Sequence, residues 1–186
     1  MRTLVFFLEE PSAKELLEGL LPRMISKEIN VRYIIFRGKQ DLEKNLIKRL
    51  RGWQLPESVF IIMRDQDMAD CHTVKQNLVR LCIEAERSNV LVRIACHELE
   101  SFYLGDLEAV ERGLNLRGLA KRQNSRKYRA PDSAIGNPAE ELEKLTNKTY
   151  QKVAGSRAIS HHLKLSGNCS HSFGVLLSGI NKILGS

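Results

Sequence analysis

Four short, uninterrupted apolar runs, each followed by a stretch of helical periodicity, limit the folds open to this chain more than any other feature. TLVFFL comes first, and VRYIIF, VFIIM and VLVRIAC follow at intervals. Runs of this length, rich in β-branched and aromatic residues, read as strands buried on both faces. Between them, Ala13, Leu16, Leu17, Leu20 and Leu21, then Leu42, Leu46, Ile47 and Leu50, then Val74, Leu78, Leu81, Cys82 and Ala85 mark amphipathic helices. Ser12 and Glu15 form a capping-box signature at the first helix, and the second should end near Gly52. Strands joined by single helices need right-handed crossovers, which give a parallel sheet. The expected fold class is α/β and Rossmann-like: four parallel strands in the order 2-1-3-4, with helices on both faces.

The pattern changes after Glu98. ELESFYLGDLEAVERGL reads as one helix or two short ones, and LRGLAKRQNSRKYRAPD as a basic segment with turns. Asn137, Pro138 and Glu140 announce another helix, and a last one is expected from about Ser172 to Leu184. No fifth strand is legible. The chain should therefore divide into an α/β core over residues 1–112 and a basic segment with a helical C-terminal extension over residues 113–186, packed on that core. Trp53, Phe102, Tyr103 and Phe173 are read as core or interface anchors.

Charge narrows the partners. Lys and Arg number 29 against 22 Asp and Glu, a net +7 with a pI near 9.4. That balance favours polyanions, nucleic acid first among them. No apolar stretch approaches the length of a membrane span and no cleavable signal is visible, so no membrane association and a cytoplasmic location are expected. Cys71, Cys82, Cys96 and Cys169 lack C-x-x-C spacing, which suits reduced thiols. A zinc site from Cys71-His72 and Cys96-His97 is disfavoured because adjacent side chains diverge.

In an open parallel sheet, ligands bind beyond the carboxyl ends of the strands, where strand order reverses. Glu9 follows the first strand, and Asp65 and Asp67 follow the third; in the order 2-1-3-4 those strands are neighbours. Two like charges about 4 Å apart repel by about 4 kcal/mol at an effective dielectric of about 20, so the cluster calls for protons or a cation. Oxygen-only ligands select hard metals, Mg2+ or Mn2+, and suit phosphoryl transfer. Lys39 lies at another strand end, placed for phosphate or to balance the acids. The densest basic run, Lys121, Arg122, Arg126, Lys127 and Arg129 with Tyr128 among them, has the chemistry of a nucleic-acid contact: cations for the backbone and a ring for a base.

These residues also carry a resemblance. LVFFLEEPSAKELLEGLL resembles the first-strand glutamate motif of TOPRIM domains, found in topoisomerases, primases and overcoming-lysogenization-defect nucleases, and VFIIMRDQDMAD resembles their aspartate-x-aspartate strand. EEPSAKELL, FRGKQDL, the RDQD loop, ACHELESFYLGD, YQKVAGSRAIS and SHSF together are similar to the bacterial family called domain of unknown function 4276, over nearly the whole chain. The resemblance implies a TOPRIM fold, Glu9 as general acid or base and metal neighbour, and Asp65 and Asp67 as the metal-binding pair. It makes Glu100, rather than Glu98, an additional metal or water ligand. Glu10 stands where many TOPRIM motifs have glycine, and Met68 follows Asp67 where topoisomerases carry small or acidic residues. Lys152 and Arg157 flank Gly155 in a recurring family segment without a role.

The expected activity is metal-dependent phosphodiester hydrolysis. The resemblance further implies an effector of anti-phage defence controlled by an ATPase encoded nearby; ATP binding by this chain itself is not expected, as it has no G-x-x-x-x-G-K-[ST] loop. A homo-oligomer is left open. The alternative is a catalytically inactive module that keeps the fold and holds nucleic acid or the ATPase.

Overall fold

The apolar runs become the strands of a single sheet. A computed structural model describes residues 2–185, and within them β1 (Thr3–Leu8), β2 (Asn30–Ile35), β3 (Ser58–Asp65) and β4 (Val90–Ala95) are all parallel in the order 2-1-3-4. The crossovers are α1 (Pro11–Leu20), α2 (Lys39–Arg51) and α3 (Cys71–Glu84). After β4 come α4 (Glu100–Leu104), α5 (Leu107–Gly113), α6 (Pro131–Ala134), α7 (Pro138–Leu145), α8 (Lys152–Ser160) and α9 (His171–Leu184).

Strand alternation sorts side chains into two layers. Leu4, Phe6, Leu8, Ile61 and Met63 point into a core shared with α1, α4, α5, α7, α8 and α9. Val5, Phe7, Phe60, Ile62 and Val92 point the other way, against α2 and α3. Every residue of β1, an inner strand, is buried, whereas β2 alternates between half-buried and exposed positions and Ile35 is 40% exposed. The apolar run VRYIIF thus belongs to an edge strand, covered less than its composition suggests.

The capping box at α1 does not form. Pro11 occupies the first turn, which moves the cap position to Glu10, and Ser12 Oγ donates to Glu10 Oε1 at 2.5 Å instead. Glu15 takes both N–H groups of Arg157, at 2.6 and 2.9 Å, and so ties α1 to α8. The two helices touch closely: a Cβ on Gly19 would lie 2.0 Å from Ser160 Oγ. Arg23 closes the end of α8 by donating to the carbonyls of Ser160 and Leu163, both at 2.8 Å.

The basic segment is also built in rather than loose. Gln123 accepts from Leu107 N at 2.6 Å and donates to the carbonyls of Leu104 and Tyr128 at 3.2 and 2.7 Å. Tyr128 is only 2% exposed and donates to Glu141 Oε1 at 2.5 Å, so its ring is not free to stack on a base, contrary to the sequence reading. Lys127 is drawn to the same carboxylate, at 2.5 Å. Lys121, Arg122, Arg126 and Arg129 remain exposed.

Candidate functional site

Strand register brings the acids together. Leu8 is paired with Met63 across β1 and β3, and Asp65 with Ala95 across β3 and β4. The residue after β1, Glu9, therefore reaches across to β3, where its Oε2 accepts from Asp65 N at 3.2 Å. Glu10 stands at the start of α1, and Glu100 in the first turn of α4. Glu9, Glu10 and Asp65 line a pocket whose other walls include Ala13, Met63, Leu99 and Phe102. Apolar walls lower the local dielectric and magnify every charge inside.

The electrostatics follow from this crowding. Asp65 retains some surface contact with solvent but is enclosed by protein, and its carboxyl is held well above the usual range, by burial first and then by Glu100, Glu10 and Glu9. Burial likewise raises Glu9, aided by Asp67 and Glu10 and opposed by the bond from Asp65 N and by Arg64. Glu100 is 0% exposed and is raised by burial against the opposing pull of Lys152 and Tyr150. Its Oε1 accepts from Tyr150 Oη at 2.8 Å, while its Oε2 is buried with no hydrogen-bond partner. Lys152 Nζ donates to Glu10 at 3.1 and 3.3 Å; burial works against its charge, yet Glu100, Glu10 and Asp65 keep it raised.

The sequence-predicted residues are placed unevenly. Glu9 and Asp65 adjoin each other, and Glu100 adds its charge to Asp65. Asp67, two residues past Asp65, turns to Lys39, with Nζ at 2.8 Å. Its backbone has φ 55°, and its N–H donates to His97 O at 2.7 Å, a residue itself at φ 57°. Such left-handed positions are uncommon for residues other than glycine and concentrate at functional loops. Among the described residues no three His, Cys, Asp or Glu side chains converge tightly enough to hold an ion as they stand. Carboxylates without a shared cation repel, and here Glu9 leans on the Asp65 N–H, Glu10 on Lys152 and Asp67 on Lys39.

Several nearby groups have structural partners instead. Arg64, 8% exposed, pairs with Glu43 and lies 3.9 Å from Glu9 Oε2. Glu98 accepts from Ala139 N at 2.7 Å and serves the start of α7. Glu10, Lys152 and Tyr150 were absent from the expected site. Glu10 could be suspected as one more carboxylate beside Glu9. Lys152 and Tyr150 lie in the family segment YQKVAGSRAIS, the one signal that pointed to them.

The donor set is suited to a hard divalent cation. It is all oxygen, its four acids outnumber the neighbouring cations Lys152 and Arg64, and Glu100 Oε2 is a buried acceptor with nothing to accept from. Asp65, Glu9, Glu10 and Glu100 are the residues that could hold one, with Asp67 if it leaves Lys39.

Comparison with known proteins gives a family and a fold. The model described as "Domain of unknown function (DUF4276)" matches residues 8–181. The C-terminal region of the Burkholderia pseudomallei OLD protein aligns with a TM-score of 0.58 at 14% identity, covering 97% of this chain and 98% of that one. The C-terminal region of the Xanthomonas campestris pv. campestris OLD protein aligns with a TM-score of 0.53 at 13% identity, over 98% and 96%. At these identities the likeness establishes the fold alone. No curated protein matches. Among the described residues no helix is long and apolar enough to cross a membrane.

Proposed function

This chain belongs to the DUF4276 family, and we propose that it is a divalent-metal-dependent phosphodiester hydrolase, a nuclease of the TOPRIM type. The observation that carries this reading is the enclosure of Asp65 among Glu9, Glu10 and Glu100 at the carboxyl edge of the sheet, with one buried carboxylate oxygen unpartnered. Burying acids without sufficient counter-charge is destabilising and is retained where charge must be received. The fold shared with the C-terminal regions of OLD proteins supports the same reading, because the TOPRIM motif resemblance points to that group.

Asp65 and Asp67 are the proposed pair for Mg2+ or Mn2+, with Glu100 as a further ligand. A bound ion would supply Lewis-acid charge to a phosphoryl oxygen and an activated water. Glu9, its carboxyl raised by burial and its Oε2 held by Asp65 N, is the group to exchange a proton, at Oε1. Lys152 and Lys39, each now held by a carboxylate, are the cations placed to meet a phosphate. Lys121, Arg122, Arg126 and Arg129 are proposed backbone contacts for nucleic acid; Lys127, engaged by Glu141, contributes less. A partner ATPase encoded nearby, a role in phage defence, a cytoplasmic location and a homo-oligomer remain part of the proposal.

A second reading has its own observation. The Lys39–Asp67 and Lys152–Glu10 pairs balance two carboxylates without any metal, as a non-catalytic adaptor for nucleic acid or an ATPase would require. Incubation with plasmid, single-stranded DNA and RNA in Mg2+ or Mn2+ separates the two. The hydrolase reading expects cleavage by the unsubstituted protein, reduced about 10²–10⁴-fold in Asp65→Asn and Glu9→Gln. Equal cleavage by all three proteins, or nucleic-acid binding indifferent to Mg2+ with no cleavage, counts against it.

A further inference from the structure

Tyr150 is separated from Glu100 by 50 residues, yet its hydroxyl donates to Glu100 Oε1 at 2.8 Å in a fully buried contact. The ring is 2% exposed and is held from two sides. Its backbone N–H donates to Thr146 Oγ1 at 3.2 Å, and Gly155 presses on its face. A Cβ on Gly155 would lie 2.4 Å from Tyr150 Cδ2 and 2.5 Å from Cε2, so only glycine admits the ring at this depth. The family segment YQKVAGSRAIS thereby gains a physical account: Tyr150 reaches Glu100, Lys152 reaches Glu10, Gly155 makes room, and Arg157 anchors the helix to Glu15.

As a stabilising device the pair makes little sense. A buried carboxylate with one oxygen bonded and the other bare is worse than an apolar pair of the same shape, because the bare oxygen has lost water and gained nothing. The arrangement does make sense if the bare oxygen is kept for something else. Resting on the metal reading above, we propose that Tyr150 is a positioning residue of the acidic site: its hydroxyl locks the Glu100 carboxylate so that Oε2 alone is presented to a divalent cation. Without the hydroxyl Oε1 would be bare as well, and the cation must bear the cost of orienting the carboxylate. Partners that orient a metal-binding side chain are typically worth about 10–100-fold in metal affinity or activity.

The test is a Mn2+ titration of the full chain read by thermal unfolding, which needs no substrate. Tyr150→Phe should raise the Mn2+ concentration at half-maximal stabilisation about 10-fold or more. Tyr128→Phe is the matched comparison, since Tyr128 is equally buried and loses the same kind of bond, to Glu141 at 2.5 Å. It should lower the unfolding temperature yet leave the Mn2+ midpoint where it was. Should Tyr150→Phe not fold, Thr146→Val removes the Oγ1 that fixes the Tyr150 backbone N–H without adding an atom, and should raise the midpoint too. A chain that responds to Mn2+ with an unchanged midpoint in the variant that folds overturns the role of Tyr150 and leaves the metal reading standing. An unsubstituted chain indifferent to Mn2+ overturns the metal reading, and this inference with it.

Discussion

Metal-free Asp65→Asn protein should unfold at a higher temperature than the unsubstituted chain, while losing cleavage and most of the response to Mn2+. The substitution removes an enclosed charge that Glu100, Glu10 and Glu9 all oppose, and keeps the shape of the side chain. Replacing poorly compensated buried charge typically gains on the order of 1–3 kcal/mol, several degrees for a domain of this size. The gain should depend on pH. Asp65, Glu9 and Glu100 are all raised by burial, so the native state holds protons that the unfolded chain has released. Their stabilising contribution is fully present below the unfolded carboxylate range and is lost as pH rises through the raised native values. The unsubstituted chain should thus lose stability relative to Asp65→Asn as pH rises from the unfolded carboxylate range through the raised native values, and saturating Mn2+ should flatten that difference. Equal slopes for both proteins, with no gain on substitution, would show that the site bears no such strain.

Phe173→Ala should cost about 3–5 kcal/mol and lower the single unfolding transition of the whole chain. Phe173 is 0% exposed, its ring centroid 5.2 Å from that of Phe102. It belongs to α9, the last of the described elements, yet sits in one core with Leu4 and Phe6 of β1. Residues 113–185 therefore complete the layer over one face of the sheet, and a chain ending at residue 112 would expose Leu16, Leu17 and Leu20 of α1, now covered by α8. Denaturant unfolding of Phe173→Ala, followed by both far-ultraviolet dichroism and the fluorescence of Trp53, checks this. Two separated transitions, with the substitution moving just one, would mean that the extension folds apart from the sheet.

How legible all this was depended on the range of the forces involved. The sheet could be read because TLVFFL, VFIIM and VLVRIAC can be buried on both faces in few ways, and the alternation with helices leaves few topologies. Glu9 and Asp65 could be read because the strand order makes their positions neighbours. Asp67 could not: its direction is set by a left-handed backbone and by a lysine 28 residues away. The start of α1 was displaced by Pro11, whose ring fits the first turn better than the Ser12 cap does. Tyr128 looked like a loop aromatic because basic residues surround it in sequence, but Gln123 and Glu141 draw it inside. Tyr150 and Lys152 come to the acids through the packing of α8 on α1, a contact more than a hundred residues apart in sequence that no local pattern announces.

Crystals grown with Mn2+ and measured at a wavelength where manganese scatters anomalously would address the metal centre itself. The expected result is an anomalous peak bonded to Asp65 and to Glu100 Oε2, with Lys152 moved off Glu10 or Asp67 released from Lys39. A map without a peak at the carboxyl edge of β1 and β3, at Mn2+ concentrations that support nucleic-acid cleavage, with Lys152 still on Glu10, would contradict it.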